Sequence, residues 1–292
     1  MLKHRALSGL TIGAFTLVAA YFLPVYGIWL LLLAISALAQ LEFYAMIRGG
    51  GFPSFRILGV VCGSALISAT FFTTYGLSVD DFRVYNWENF VLLASLVAVF
   101  VRQFPQKHND KPLETIGCTL LGIWYVPYLF NFFTRLAFSW RESVQGMQVG
   151  ETGRAMCLFV IVVVKCSDIG AYLVGRAIGR HKLFPRVSPK KTWEGLIGGI
   201  ATAILVSWVV FYVFGKGQLG SVTLKLQDVF ILGVILPLAG VVGDMFESLL
   251  KRAAGAKDSS AAIPGMGGIL DVLDSLLFSV PVFYIYGQLF WS

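Results

Sequence analysis

Between Ser248 and Asp274 the chain reads SLLKRAAGAKDSSAAIPGMGGILDVLD. Three cations (Lys251, Arg252, Lys257) and three carboxylates (Asp258, Asp271, Asp274) fall in these twenty-seven residues, between two long apolar stretches. A charged group at the centre of a membrane helix costs about 2.5–3.5 kcal/mol, so a cluster of them beside lipid marks a working site. Cations, carboxylates and flexible backbone together can hold a polyphosphate and its divalent metal.

Asp271 and Asp274 are three residues apart, on one side of the start of an apolar helix. Two unpaired carboxylates so placed repel, and a divalent cation with oxygen ligands relieves the repulsion. Helix capping accounts for one of them but not for the second. Gly265, Gly267 and Gly268 just before this helix let backbone amides approach an anion. Asp244, Glu247, Ser248 and Lys251 follow at i, i+3, i+4 and i+7, on one helical face, with Asp244 the deepest in the apolar stretch. Asp168 lies near the end of another apolar run, in Lys165-Cys166-Ser167-Asp168. An ion pair with Lys165 and a metal ligand are its two readings.

The stretch Gly175–Trp193, GRAIGRHKLFPRVSPKKTW, carries six cations and no acid. It is either an anchor that sets orientation or a phosphate cradle. Ser188, Lys190, Lys191 and Thr192 favour the cradle. They place two ammonium groups and two hydroxyls in a short turn. A helix whose first amides attract anions follows directly.

The elements that must position these groups are membrane spans. The chain is 57% hydrophobic and 13% charged, with mean hydropathy +0.76, whereas soluble domains carry about 25% charged residues. The fold class is therefore all-α, a polytopic integral membrane protein. About twenty apolar residues make a span. That rule predicts nine, approximately 7–23, 26–46, 55–76, 90–104, 115–138, 155–174, 194–214, 229–244 and 269–290. The opening Lys3-His4-Arg5 followed by an apolar run mimics a signal peptide. No cleavage pattern precedes a polar segment, so a retained span is expected. Residues 1–140 are expected to form an N-terminal helical region for support and lipid contact. Residues 150–292 form the catalytic region, with cytoplasmic loops 175–193 and 245–268. Alternating loops collect sixteen of the 23 Lys and Arg on one side and six, including Arg135, on the other, with Lys165 inside a span. The first side, with the N-terminus, is therefore cytoplasmic. The pI of about 9.3 reflects anionic lipid and this asymmetry rather than nucleic acid. Cys62, Cys118, Cys157 and Cys166 lie in apolar runs, form no CxxC spacing, and read as core residues.

With these residues in view, the segment resembles the signature of the phosphatidate cytidylyltransferases, or CDP-diacylglycerol synthases. The resemblance rests on Ser248, Leu250, Lys251 and Arg252, then Lys257, Asp258 and Ser260, then Ile263-Pro264, Gly267-Gly268-Ile269, Asp271 and Leu273-Asp274. SPKKTWEG resembles that family's second block, and the match runs over roughly Ser167–Ser275. Met266 and Val272 stand where the family commonly has histidine and arginine.

The resemblance implies transfer of the cytidylyl group of CTP to phosphatidate, giving CDP-diacylglycerol and pyrophosphate for phospholipid synthesis. It implies Mg²⁺ on Asp168, Asp244, Asp271 and Asp274, with a monovalent cation such as K⁺ beside it. Lys251 and Arg252 serve the reacting phosphates beside Asp271 and Asp274. Ser188, Lys190, Lys191, Thr192, Ser248, Lys257, Asp258, Gly267 and Gly268 bind substrate. The setting is a bacterial-type inner membrane, the site faces the cytoplasm, and the chain forms a homodimer. The alternatives are a CTP-dependent polyprenol kinase, which attacks the γ-phosphorus, and an ion-coupled transporter using Lys165 and Asp168. The DGxxAR-type motif of CDP-alcohol phosphatidyltransferases is missing.

Overall fold

The computed structural model describes residues 18–19, 21–76, 81–107, 109–139, 150–213, 217–256, 259–260 and 267–291. Helices dominate. They are α1 (Val25–Gly49), α2 (Arg56–Tyr75), α3 (Asp81–Gln103), α4 (Pro112–Phe138), α5 (Glu151–Ile178), α6 (Trp193–Val213), α7 (Leu226–Ala253) and α8 (Ile269–Phe290). Two short antiparallel hairpins interrupt them. The first pairs β1 (Lys182–Phe184) with β2 (Ser188–Thr192), the second β3 (Gln218–Leu219) with β4 (Val222–Thr223).

Among the described residues, seven of these helices are long and apolar enough to cross a membrane. The eighth, α3, has the length, but its first turns hold Asp81, Arg83, Asn86, Glu88 and Asn89. The first of the nine predicted spans, 7–23, lies almost wholly outside the described residues. The predicted span 229–244 is only the middle of the 28-residue α7, which continues through Asp244, Glu247, Ser248 and Lys251.

The chain forms two compact units. One comprises the described residues within Met1–Ser139 together with Leu250–Leu273; the other comprises those within Val149–Leu249 and Asp274–Ser292. In the first unit, Tyr44 is fully buried and donates to the Thr119 carbonyl at 2.8 Å. Beside it, Gln40 Nε2 donates to the Gly59 carbonyl at 2.9 Å. A Cβ at Gly59 or Gly122 would overlap the Tyr44 ring, so these glycines make room for it. A π-helical turn at Trp124–Tyr128 bends α4 around Pro127, which supplies no N–H to the helix.

Arg135, assigned by loop counting to the outer face, is instead buried inside α4 and paired with the buried Glu88. Thr70 donates to that carboxylate at 2.6 Å and Asn131 at 3.1 Å. A charge enclosed in a membrane bundle persists when its counter-ion and donors are enclosed with it.

In the second unit, α6 buries Gly195, Gly199, Ala203 and Ser207, four residues apart along one edge. This is the small-residue spacing that lets membrane helices approach closely. A Cβ on Gly199 would press on Ser167 and Ala171 of α5. Helices α7 and α8 also meet through glycine. A Cβ on Gly240 would meet Ser275 and Ser279, and at Gly243 it would strike the Asp274 carbonyl. Ser279 Oγ donates to the Leu236 carbonyl at 2.9 Å, and at the far end Tyr286 OH donates to Asp228 at 2.6 Å.

The cysteines of the described helices are free thiols, with Cys62 buried.

Candidate active site

The close approach of α7 and α8 at Gly243 puts the next residue, Asp244, beside Asp274. Asp274 feels the charges of Asp244, Asp168 and Lys165. Two ammonium groups answer these three carboxylates. Lys191 Nζ lies 2.6 Å from Asp244 Oδ2, and Lys165 Nζ lies 3.6 Å from Asp168 Oδ2. Ser275, the residue after Asp274, joins the last pair: Lys165 donates to its hydroxyl at 3.0 Å, and that hydroxyl donates to Asp168 at 3.0 Å. Ser248 donates to Asp244 at 3.3 Å. Both sequence readings of Asp168 therefore survive, since it has its lysine and also belongs to a carboxylate group. Among the described residues, no three acidic, histidine or cysteine side chains are gathered tightly enough to hold a metal as they stand.

Asp271 has a different environment. Its Oδ1 accepts from Lys251 Nζ at 2.7 Å. Its Oδ2 accepts from the Ser259 hydroxyl at 2.7 Å, the Ser259 amide at 3.0 Å and the Gly268 amide at 2.6 Å. The Gly268 amide, one of those expected to bind an anion, thus binds one that the chain supplies itself. Gly267 has φ +98°, and a Cβ there would sit 2.5 Å from the Asp271 carboxylate. The i, i+3 spacing suggested one shared cation for Asp271 and Asp274. In the free protein Asp271 is engaged by one lysine and three further donors.

The basic segment is the β1–β2 hairpin. Lys190 is exposed, while Lys191 turns to Asp244. Thr192 is buried, and its hydroxyl accepts the Gly195 amide at 3.1 Å, capping α6. The hydroxyl keeps its own O–H, so this cap is compatible with the expected phosphate contact. Ser188 pairs with Phe184 in the hairpin ladder. Glu194, one residue past the acid-free stretch, accepts the Arg180 and His181 amides at 3.1 and 3.2 Å and fastens the hairpin to α6. Arg252 is exposed on the last turn of α7. Lys257, Asp258 and Met266 lie outside the described residues.

Reasoning from sequence missed Ser259, Ser275 and Glu42. Glu42 is the only acid in α1, and a lone carboxylate in an apolar helix was a legible signal.

The chain is 30% identical over 287 residues to the phosphatidate cytidylyltransferase of Synechocystis sp., covering 91% of each chain. It is 31% identical over 221 residues to that of Bacillus subtilis, covering 76% of this chain and 72% of the relative. A 43% identical match to the Haemophilus influenzae enzyme spans 135 residues, 46% of each chain. The model of the cytidylyltransferase family matches residues 3–290. The chain, an all-α polytopic membrane protein, belongs to the cytidylyltransferase family.

Proposed function

We propose that the protein transfers the cytidylyl group of CTP to phosphatidate. A phosphate oxygen of phosphatidate attacks the α-phosphorus of CTP. The α–β phosphoanhydride breaks, CDP-diacylglycerol forms and pyrophosphate leaves. The lipid brings its own nucleophile, so the protein needs no serine or cysteine for that role. Its task is to align two polyanions and to balance the charge that gathers at phosphorus. The observation that carries this reading is the surplus of carboxylate around Asp274, two lysines against three acids, in a chain whose relatives bear that enzyme's name.

An all-oxygen, surplus-negative donor set suits a hard divalent ion. Asp168, Asp244 and Asp274 would hold Mg²⁺; Asp271 keeps its own lysine in the free protein. Bound there, the metal supplies charge neutralisation for the phosphate oxygens. Lys165, Lys191 and Lys251 are the counter-ions of these carboxylates in the free protein. In the loaded protein each can turn its ammonium group from carboxylate to phosphate. Lys190, Arg252 and Lys257 add positive charge for CTP, the phosphatidate headgroup or departing pyrophosphate. Ser248 and Asp258 complete the substrate contacts. A monovalent ion such as K⁺ beside Mg²⁺, and a homodimer, belong to the same proposal.

The site faces the cytoplasm of a bacterial-type inner membrane, where CTP is found, and phosphatidate enters sideways from the inner leaflet. Orientation is read by cysteines placed at Ser259 and Gly220 in a background without the native four. Gly220→Cys should react from outside in intact cells, and Ser259→Cys only after permeabilisation.

The chemistry is tested with CTP labelled separately at the α and γ positions. With phosphatidate and Mg²⁺, the α label should enter the lipid and the γ label should leave as pyrophosphate. Transfer of the γ label to lipid, with release of CDP, would replace this reading with a lipid kinase.

A further inference from the structure

We infer that Glu42, in the second predicted span and far in sequence from the signature, is a positioning residue for the reaction. It clamps the signature segment that carries Lys251 and Asp271. Its Oε1 accepts the Ser260 hydroxyl at 2.7 Å, and its Oε2 accepts the Leu270 amide at 2.9 Å, with the Ser259 hydroxyl at 3.4 Å. One carboxylate thus holds the segment before the glycine turn and the first turn of α8 after it. Two of these partners adjoin Asp271: Leu270 precedes it, and Ser259 gives its hydroxyl to Asp271 at 2.7 Å.

The rest of α1 supports the same role. Two turns further along, a Cβ on Gly50 would come within 2.7 Å of Ala254 Cα, so the end of α1 lies against the start of the signature loop. An open cleft of about 340 Å³ lies here, lined by Met46, Gly49, Ala254, Ala256 and Ser259 among others. At Gly268 any side chain would fall on Glu42 and Ser259, which explains a glycine there at a φ that is not left-handed. A carboxylate is also the right group for the start of α8, where unpaired amides favour negative charge. No catalytic step needs Glu42 to touch substrate. It sets the reach of Lys251 and Asp271 by fixing the backbone on which Asp271 and Ser259 stand.

The kinetic arm of the test rests on the cytidylyl-transfer reading. A second arm, thiol labelling, does not. Glu42→Ala and Glu42→Gln should lower kcat about 10–100-fold, the cost of small misplacement of reacting groups, with KM for phosphatidate unchanged. Ser260→Ala should lower kcat less, and adding it to Glu42→Ala should cost less than the sum of the two, because the two side chains share a bond. Independently, Ala256→Cys in a background without the native cysteines should react faster with a water-soluble thiol reagent when Glu42 is alanine. If Glu42→Ala does not fold, Glu42→Gln and Ser260→Ala carry both arms. Additive losses, or wild-type kcat and an unchanged labelling rate, would overturn the clamp. Faster labelling in a protein that releases no pyrophosphate from CTP would uphold the clamp and overturn the reaction.

Discussion

Asp271 and Asp274 are three residues apart on α8 and have unlike surroundings. Asp271 has a lysine and three hydroxyl or amide donors to itself. Asp274 has the charges of Asp168 and Asp244 near it, with lysines that are already paired to those acids. A carboxylate with a full set of donors holds structure, and its removal takes from Lys251 an acceptor 2.7 Å away. A carboxylate among like charges is a cost to the folded state that a cation removes. The same residue type in the same helix turn therefore trades stability against function differently.

The largest expected effect is in rate. Asp274→Asn should lower turnover on the order of 10²–10⁴-fold, the loss of one charged ligand from a low-dielectric site. Its thermal stability without metal should equal or exceed that of wild type, because a repulsion has been removed. Asp271→Asn should lower turnover about 100-fold and also destabilise the protein by about 1.5–3 kcal/mol, since Lys251, Ser259 and Gly268 lose a charged acceptor. Thermal melts in detergent, set beside initial rates with α-labelled CTP, check both. Equal melting points for the two variants would erase the distinction.

A smaller effect separates the neighbouring lysines of the hairpin. Lys191→Ala should raise KM for CTP about tenfold, because a cation at Asp244 is lost. Lys190→Ala, exposed on the same strand, should raise it only about two- to threefold. If neither constant moves, the hairpin is an orientation anchor. The smallest effect on rate belongs to the enclosed pair far from this chemistry in sequence. Glu88→Gln should cost about 3–5 kcal/mol of stability, as breaking a buried ion pair does. Folded molecules of that variant should keep wild-type kcat.

The spans and the charged groups were legible in the sequence, but the contrast between Asp271 and Asp274 was not. Membrane spans are long and apolar, so most helices could be placed within a few residues. The apolar window of α7 stops at Asp244, so its full length showed only in the shared helical face of Asp244, Glu247, Ser248 and Lys251. The acids of the site were legible as charges where lipid makes charge expensive. Their partners were not, because Lys191, Lys165 and Lys251 meet Asp244, Asp168 and Asp271 through tertiary packing or short-range rotamer choice. Glycine spacing explains why. Gly240 and Gly243 set how closely α7 and α8 approach, and nothing in the acidic motif itself encodes that distance. Thr192 carries two signals: beside two lysines it reads as a phosphate contact, and its position before α6 makes its hydroxyl a cap as well. Loop counting misplaced Arg135 because a buried counter-ion, Glu88, sits on another helix.

The central claim is that the carboxylates around Asp274 are a cation site. The most direct measurement is the thermal stabilisation that Mg²⁺ confers on wild type and on Asp274→Asn. A ligand at about one hundred times its Kd stabilises a folded protein by about 2.7 kcal/mol. Wild type should gain a shift of that order on titration with Mg²⁺, and Asp274→Asn should gain none while melting no lower than wild type without metal. An equal Mg²⁺ shift in both proteins would contradict the assignment.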